Sequence, residues 1–311
     1  MVKKSDNFNL EGDQDDIYST VSEVDDRFLD KLSSKVFGIS IENAAFYNKW
    51  ILENQKQIIL NPIIEGKYQN TCDLGCGDGF WHQYLFQNGY GGIITGFDIS
   101  NSALAIAKTI NNNFRAQYVQ SDVYSVDCPD DYFDCLFSLQ LWQSIKYPNK
   151  FIKQINRISK TGAPAFITTT NFTSNLLFQP TVFIKQLFYR TQPNNSEDGI
   201  NKILKKNKIK YKIEYISFRP RQSYMKYIPS FLFEFIFNKC KDIEEILRYL
   251  GFSRLCSVII IAINNDNNIV NEKKKPGFSK YFSSAFIFTV LVIFHWLIDI
   301  MNFLTRKFKI S

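Results

Sequence analysis

Histidine is nearly absent from this sequence, since His82 and His295 are the only two among 311 residues. Cysteine is also sparse and scattered. Cys72 and Cys76 have three residues between them, but no second pair and no histidine cluster completes a zinc site. We therefore predict no metal centre, and we interpret the cysteines as reduced, mostly buried thiols of a cytosolic domain. They stand at positions 72, 76, 128, 135, 240 and 256.

The N-terminal segment lacks the apolar run of a secretory signal peptide. Its first 26 residues carry Asp and Glu at eight positions against only Lys3 and Lys4. Without apolar periodicity such a segment cannot build a core, so we expect residues 1–40 to be a mobile acidic tail with its lead-in.

Positive charge is concentrated elsewhere, although the net charge is only +7. The stretch 202–226 holds nine Lys and Arg residues against the single acid Glu214. A basic stretch of this kind attracts nucleic acid or anionic lipid, or it forms a solvated face of the protein. Beside a membrane helix, anionic headgroups explain it better than nucleic acid.

Short apolar runs alternate with helical patterns between residues 41 and 264. This alternation predicts an α/β domain with a doubly wound, mostly parallel sheet. Residues 171–253, rich in aromatic and basic side chains, are expected to cap the carboxyl ends of the strands, and 265–280 to form a polar linker. The predicted strands are 70–74, 92–98, 116–120, 132–138, 164–170 and 254–264. The predicted helices are 41–60, ending at Asn61 and Pro62, then 80–88, 102–111, 149–159 and 242–252.

The C-terminal segment 281–311 is strongly apolar. Residues 285–304 provide about the 20 positions needed to cross a bilayer. Ser284, His295 and Asp299 share one helical face, however, so the helix either spans the membrane or lies in its interface. A buried core helix is the alternative. We expect membrane association, with the rest of the chain on the cytoplasmic side.

The stretch TCDLGCGDGFW (71–81) places three glycines at alternate positions after Asp73. Gly75 and Gly77 leave no side chain between the loop and a ligand. A dinucleotide loop binds pyrophosphate at a helix N-terminus, which the Asp73 carboxylate would oppose. The loop therefore favours a cationic ligand that carries an ammonium and a sulfonium.

DLGCGDG resembles the first motif of class I S-adenosylmethionine-dependent methyltransferases. The stretches GFDIS (96–100), SDV (121–123) and FDCLFSLQLWQSI (133–145) resemble the later motifs in order. The resemblance implies a seven-stranded Rossmann-like sheet and S-adenosylmethionine as cofactor. It implies that Asp73 takes the amino group of the methionine moiety, that Gly75 and Gly77 pass beneath it, that Asp98 holds the ribose, and that Asp122 and Val123 flank the adenine. Ile99 and Ser138 complete the implied cofactor set.

The acceptor side departs from the family pattern. The sequence is similar to small-molecule methyltransferases that include quinone-biosynthesis enzymes, many of which carry a histidine after the fourth strand. Ser144 stands there instead. We expect Gln140, Trp142 and Gln143 to line the pocket, with His82 and Gln143 as the candidates for catalysis.

The acceptor predicted from the resemblance is a small molecule, a lipid or a lipid-linked group. No N-P-P-Y or D-P-P-Y follows the fourth strand, so amino methylation of nucleic acid is disfavoured. Two other functions stay open: a nicotinamide-dependent oxidoreductase, and a membrane-tethered protein that binds S-adenosylmethionine without turnover.

Overall fold

The computed structural model describes residues 30–31, 34–35, 38–174, 177, 180–181, 196–218, 227–264 and 278–308. Nearly all of the predicted acidic tail lies outside the described residues, as do linker residues 265–277 and the last three residues. The predicted division of the chain into tail, domain, linker and terminal helix therefore stays a prediction.

One seven-stranded sheet forms the centre of the protein, in the order β3-β2-β1-β4-β5-β7-β6. The first five strands are parallel, and β7 inserts antiparallel between β5 and β6. The predicted fold class is confirmed. The strands are β1 Asn70–Leu74, β2 Ile93–Asp98, β3 Ala116–Gln120, β4 Cys135–Ser138, β5 Ala165–Thr170, β6 Tyr211–Ile216 and β7 Val258–Ile263.

Helices cover both faces of this sheet. The first helix does not stop at Pro62 as predicted, because it passes through a π-helical stretch, Lys56–Leu60, into a second helix whose first turn holds Pro62. Proline is tolerated there, since the first turn of a helix requires no N–H donor. The helices are α1 Ile41–Gln55, α2 Asn61–Glu65, α3 Phe80–Gln87, α4 Asn101–Ile110, α5 Pro148–Ile158, α6 Glu197–Lys206, α7 Phe233–Tyr249 and α8 Phe278–Phe308.

Two hydrophobic cores lie on opposite faces of the sheet, because successive side chains of a strand point to opposite sides. On β4, Leu136 belongs to the core beneath α5, whereas Cys135 and Phe137 belong to the core beneath α3. Both faces are buried, as is typical of a parallel sheet between two helical layers.

The segment 171–253 is not entirely a cap, because β6 within it is a strand of the sheet. Tyr211, Ile213 and Tyr215 alternate with Lys212 and Glu214 and pack into one core. β6 is an edge strand, and lysines near it discourage pairing with another chain. The exposed lysines that precede it are Lys202, Lys205, Lys206, Lys208 and Lys210.

The carboxyl ends of β1 to β6 lie at one edge of the sheet, since β7 runs antiparallel to both β5 and β6. The lysines before β6 lie toward the opposite edge, so contact with headgroups beside α8 does not explain them. α8 packs at the carboxyl edge, where Phe288 stacks on Phe218 with 5.4 Å between ring centroids. α8 begins at Phe278, inside the segment predicted as a linker.

Candidate active site

The glycine loop after β1 is held against the end of β2. The N–H groups of Gly75 and Cys76 donate to the carbonyl of Phe97 at 2.7 and 3.1 Å. The N–H of Gly77 donates to Asp98 Oδ2 at 2.9 Å. Gly75 and Gly77 both have positive φ, which glycine adopts without strain. Since β2 engages these N–H groups, the loop does not present them as a pyrophosphate-binding loop would.

Asp98 ends β2 and is only 7% exposed. While Oδ2 accepts from Gly77, Oδ1 accepts from the N–H of Ser100 at 3.0 Å. These two backbone donors fix the plane of the carboxylate. Because a carboxylate has about four acceptor sites, an oriented carboxylate at this strand end is of the kind that accepts from ribose hydroxyls.

Asp73 lies in a buried chain of hydrogen bonds with His82 and Tyr118. His82 Nε2 is 2.9 Å from Asp73 Oδ2, and its Nδ1 is 2.9 Å from the Tyr118 hydroxyl. A carboxylate only accepts, so Nε2 carries a proton and donates to Asp73; Nδ1 accepts from Tyr118 when the ring is neutral and donates to it when the ring is charged. The second oxygen, Asp73 Oδ1, is buried and has no hydrogen-bond partner among the described residues.

Gly96 makes room for this chain of side chains. On the sheet, Gly96 of β2 is the register partner of both Asp73 and Tyr118. A Cβ at Gly96 would lie 3.0 Å from His82 Cε1 and 2.7 Å from Cys76 Sγ. His82 therefore crosses β2 above a strand position that has no side chain.

The carboxylates around the loop are buried close enough to disfavour one another's charge. Burial raises the pKa of Asp78 to about 6, and Asp98 adds to this, although the Phe80 N–H and His82 oppose it. Burial also raises the pKa of Asp73, against the favourable effect of His82. A nearby cation stabilises the ionised form of such buried carboxylates.

The residues predicted to flank adenine lie at the ends of β2 and β3. Asp122 is exposed, and its Oδ1 accepts from the N–H of Tyr124 at 2.9 Å. Gln120 Nε2 donates to the carbonyl of Ile99 at 3.0 Å, which joins the two strand ends. Val123 is half-buried against the core beneath α5.

Two residues predicted to lie at the site, Ser138 and Trp142, have fully buried side chains. The hydroxyl of Ser138 is fully buried and donates to the carbonyl of Leu74 at 2.7 Å. Trp142 is also fully buried and packs edge-on against Phe151, with ring centroids 6.1 Å apart. The prediction that Trp142 lines the pocket is wrong, because its ring completes the core on the inner side of the loop.

The loop after β4 covers the glycine loop and is tied to β5. The side chain of Leu141 lies so close to Gly75 that a Cβ there would be 2.8 Å from it. Gln140 adopts a positive φ, and its N–H donates to Thr168 Oγ1 at 2.9 Å. Gln143 is exposed, and its Oε1 accepts from Thr169 Oγ1 at 3.1 Å.

Sequence reasoning missed Asp78 and Tyr118. Asp78 stands between two glycines of the motif, and an acid in a glycine loop was a usable signal. Its Oδ1 accepts from the Phe80 N–H at 3.2 Å, so a carboxylate occupies the start of α3. Tyr118 gave no local signal, because its link to His82 depends on how β2 and β3 pair.

The family model described as "Methyltransferase domain" matches residues 72–167, which contain the glycine loop, Asp98 and Asp122. The ubiquinone biosynthesis O-methyltransferase of Coxiella burnetii is 28% identical over 127 residues, 36% of this chain and 52% of that protein. The mitochondrial protein of the same name from Dictyostelium discoideum is 28% identical over 148 residues, 41% of this chain and 45% of that protein. The chain thus spans about half the length of these curated relatives.

Solved methyltransferase structures are also similar. A S-adenosylmethionine-dependent methyltransferase from Aquifex aeolicus aligns over 70% of this chain and 96% of that chain, with 13% identity and a TM-score of 0.42. Phosphoethanolamine N-methyltransferase 2 from Haemonchus contortus, in complex with S-adenosyl-L-methionine, aligns over 63% and 48%, with 20% identity and a TM-score of 0.44.

Proposed function

We propose that this protein transfers a methyl group from S-adenosylmethionine to a hydroxyl of a lipid-soluble small molecule at a membrane surface. The match of residues 72–167 to the methyltransferase-domain model supports this proposal. The observation that carries the proposal is the buried acidic cluster around the glycine loop. When bound, S-adenosylmethionine supplies a methyl group already activated on a sulfonium.

Asp73 fits the ammonium of such a ligand. Its Oδ1 is buried without a hydrogen-bond partner among the described residues, while Oδ2 is held by His82. A buried acceptor left without a donor is costly, and a charged donor from a ligand would satisfy it. His82 itself is fully buried with both ring nitrogens bonded, so we assign it to positioning Asp73 and not to proton transfer with an acceptor.

Asp98 would hold the ribose hydroxyls, with its plane fixed by Gly77 and Ser100. Asp122, Val123 and Ile99 would border the adenine at the ends of β2 and β3. Gly75 and Gly77 would lie beneath the methionine moiety. Asp78, at the start of α3, would add a second carboxylate near the positive charge.

The acceptor would lie against the loop after β4. Gln140 and Gln143 fix this loop through Thr168 and Thr169, so they would position the acceptor in line with the methyl group. Orientation of this kind supplies much of the rate acceleration when one reactant is already activated. The amide of Gln143 is not a base, so we propose that it binds and orients the acceptor.

The curated relatives support the acceptor class, because both are named ubiquinone biosynthesis O-methyltransferases. The apolar helix α8 supports a lipid-soluble acceptor, since it lies at the sheet edge that carries the glycine loop. We propose that the catalytic domain lies on the cytoplasmic side of that membrane.

The loop geometry favours this function over a nicotinamide-dependent oxidoreductase. The N–H groups of Gly75, Cys76 and Gly77 are bonded to β2, and Asp78 occupies the start of α3. A pyrophosphate would therefore lie against carboxylates at positions where it needs hydrogen-bond donors. If the protein binds the cofactor but transfers no methyl group, it is a binding protein without turnover.

The test is methyl transfer from labelled S-adenosylmethionine into a membrane extract, followed by separation of lipid and aqueous material. We expect label in the lipid fraction. In calorimetry, Asp98→Asn should weaken S-adenosylhomocysteine binding by about tenfold to a hundredfold, because it removes a charged hydrogen-bond acceptor. Asp127→Asn, an exposed acid outside the loop, is the matched control.

Absence of S-adenosylhomocysteine binding would contradict the cofactor assignment. Binding without label in any fraction would contradict turnover. Label confined to aqueous material would contradict the lipid-soluble acceptor while leaving methyl transfer intact.

A further inference from the structure

The terminal helix α8 packs on the protein with apolar side chains, among them Phe288, Leu291 and Phe294, and also with polar ones. Its side chains that pack on the protein include three polar residues, Ser284, His295 and Asp299, all buried. Its outward side chains between Ala285 and Met301 are apolar except for Thr289, whose hydroxyl donates to the carbonyl of Ala285, and none of them is charged. The exposed large side chains are Phe286, Val290, Ile293, Trp296, Leu297, Ile300 and Met301.

Two side chains of α8, Asp299 and Trp296, are hydrogen-bonded to other parts of the protein. Asp299 Oδ2 accepts from both the N–H and the hydroxyl of Thr181, at 2.9 and 2.7 Å. His295 Nδ1 lies 2.7 Å from the carbonyl of Leu291, so Nδ1 donates within the helix. Trp296 Nε1 donates to the carbonyl of Leu177 at 3.1 Å. α8 is therefore attached to the domain toward its C-terminal end.

The attachment covers the middle of the helix. Phe288 stacks on Phe218, and Asp299 binds Thr181 eleven residues further along. A helix rises about 1.5 Å per residue, so these two contacts are about 16 Å apart along its axis. A helix fixed to the domain at both points runs along the domain surface.

By length and composition the window Ser284–Met301 could cross a membrane, with a mean hydropathy of 2.1. Crossing would require α8 to leave the domain and to expose His295 and Asp299 to lipid. Ionisable groups in hydrocarbon are costly unless they face protein or water. The bonds of Asp299 to Thr181 and the burial of His295 are retained only if the helix stays on the domain.

We propose that α8 lies in the plane of a membrane interface, with its outward apolar stripe inserted among the acyl chains and the face that holds Ser284, His295 and Asp299 kept on the domain. The partner is a lipid bilayer. A stripe from Phe286 to Met301 is about 24 Å long, which suits an interfacial helix. The sequence places Lys280 before it and Arg306 and Lys307 after it, at positions suited to anionic headgroups.

This orientation deepens the proposed function and rests on its membrane association. α8 contacts the segments that leave the carboxyl ends of β5 and β6, and the cofactor loop follows β1 at the same edge. The bilayer would therefore face the edge of the sheet where the acceptor is methylated. A lipid-soluble acceptor then reaches the site without leaving the membrane surface.

The first experiment is flotation of the full chain with phosphatidylcholine vesicles, with and without phosphatidylglycerol. We expect the wild type to float, more strongly with the anionic lipid, and Ile293→Glu with Leu297→Glu to abolish flotation. These side chains are 53% and 58% exposed, so the variant should fold. Tyr132→Glu, an exposed aromatic position before β4, is the matched control and should float normally.

The second experiment separates an in-plane helix from a spanning one. Tags are added before Met1 and after Ser311, and protease is applied outside sealed vesicles. An in-plane helix leaves both tags accessible. Protection of the C-terminal tag beside a cleaved N-terminal tag would overturn the proposal in favour of a spanning helix.

The outward apolar stripe of α8 could instead be covered by a second copy of this chain. Sedimentation of the vesicle-free protein tests that alternative. A dimer that dissociates in the Ile293→Glu, Leu297→Glu variant, with no flotation of the wild type, would overturn the bilayer assignment. S-adenosylhomocysteine binding is measured on the same samples. If it persists without flotation, this inference fails while the cofactor assignment stands.

Discussion

Asp78 lies between Gly77 and Gly79 at the start of α3, where burial makes its charge unfavourable. Its pKa is raised to about 6, mainly by burial, and His82 and Asp98 are the charged neighbours that modify it. A cationic ligand lowers that pKa again, because opposite charge favours the ionised form. Ligand binding and proton binding at this carboxylate are therefore opposed.

We predict that S-adenosylmethionine binds more weakly as the pH falls through about 6. Protonated Asp78 must lose its proton before it can interact with the cation, so affinity should fall by about tenfold between pH 7 and pH 5. Calorimetry across this range measures the effect. Adenosine, which has no positive charge, should show a much smaller dependence.

The matched variant is Asp78→Asn, which should flatten the pH dependence and bind S-adenosylmethionine less tightly at pH 7. An unchanged pH profile in this variant would assign the dependence to Asp73 instead.

Asp78 should also lower the free energy of unfolding at neutral pH. Its folded pKa lies above the unfolded value, so its stabilising effect is complete at low pH and is lost as the pH rises through about 6. Asp78→Asn should raise the free energy of unfolding at pH 7.5 by about 1–3 kcal/mol. Urea denaturation at pH 7.5 and at pH 5 gives the comparison, and an equal gain at both pH values would contradict the assignment.

Gly96 is the residue on which the position of His82 depends. Gly96→Ala would place a Cβ 2.7 Å from Cys76 Sγ and 3.0 Å from His82 Cε1, which should lower the free energy of unfolding by about 1–3 kcal/mol. Displaced from Asp73, His82 would leave that carboxylate poorly oriented, so S-adenosylhomocysteine binding should weaken as well. Gly91→Ala is the control, because a Cβ there meets nothing within 4 Å.

At the scale of elements, local sequence patterns predicted the bounds of the strands around the cofactor loop closely. β1 and β3 have the predicted bounds, because each is a short run ended by a glycine loop or a polar turn. β6 was missed, although Tyr211, Ile213 and Tyr215 alternate with polar residues. The surrounding lysines obscured this alternation, and an edge strand buries too little surface to show a strong apolar run.

The attachment of α8 was predicted only as a shared polar face. The sequence showed that Ser284, His295 and Asp299 align, but not which surface they meet. Thr181 is more than a hundred residues away in the chain, as its bond to Asp299 shows. Such a pairing depends on tertiary packing, which periodicity alone does not encode.

We predict that Asp299→Ala loosens α8 without unfolding the domain. The N–H and the hydroxyl of Thr181 would then lose their shared acceptor. The free energy of opening of the α8 amides, measured by hydrogen exchange, should therefore fall by about 1–3 kcal/mol. Hydrogen exchange of the α8 amides in the vesicle-free protein measures this loss. Asp299→Asn retains one acceptor and should lose less, and equal protection in both variants and the wild type would contradict the contact.

At the scale of the whole molecule, the cofactor loop and the outward face of α8 are separate surfaces. We predict that the Ile293→Glu, Leu297→Glu variant binds S-adenosylhomocysteine within about twofold of the wild type, because distant sites act nearly independently. The same variant should lose methyl transfer to a vesicle-borne acceptor. A large change in cofactor affinity would show that α8 contributes to the cofactor site.

The order of the strands also determines when each part of the protein can form. β7 leaves the ribosome last among the strands, yet it lies between β5 and β6, and β6 joins the sheet only through it. β1 to β4, which carry the cofactor loop, are complete by Ser138. During synthesis, strands β1 to β4 can therefore pair first, and β7 then completes the sheet by pairing with β5 and β6. Helix α8 emerges after the surface on which it packs. An apolar helix that is made after the sheet meets a docking surface already formed, which limits the time it spends exposed to water.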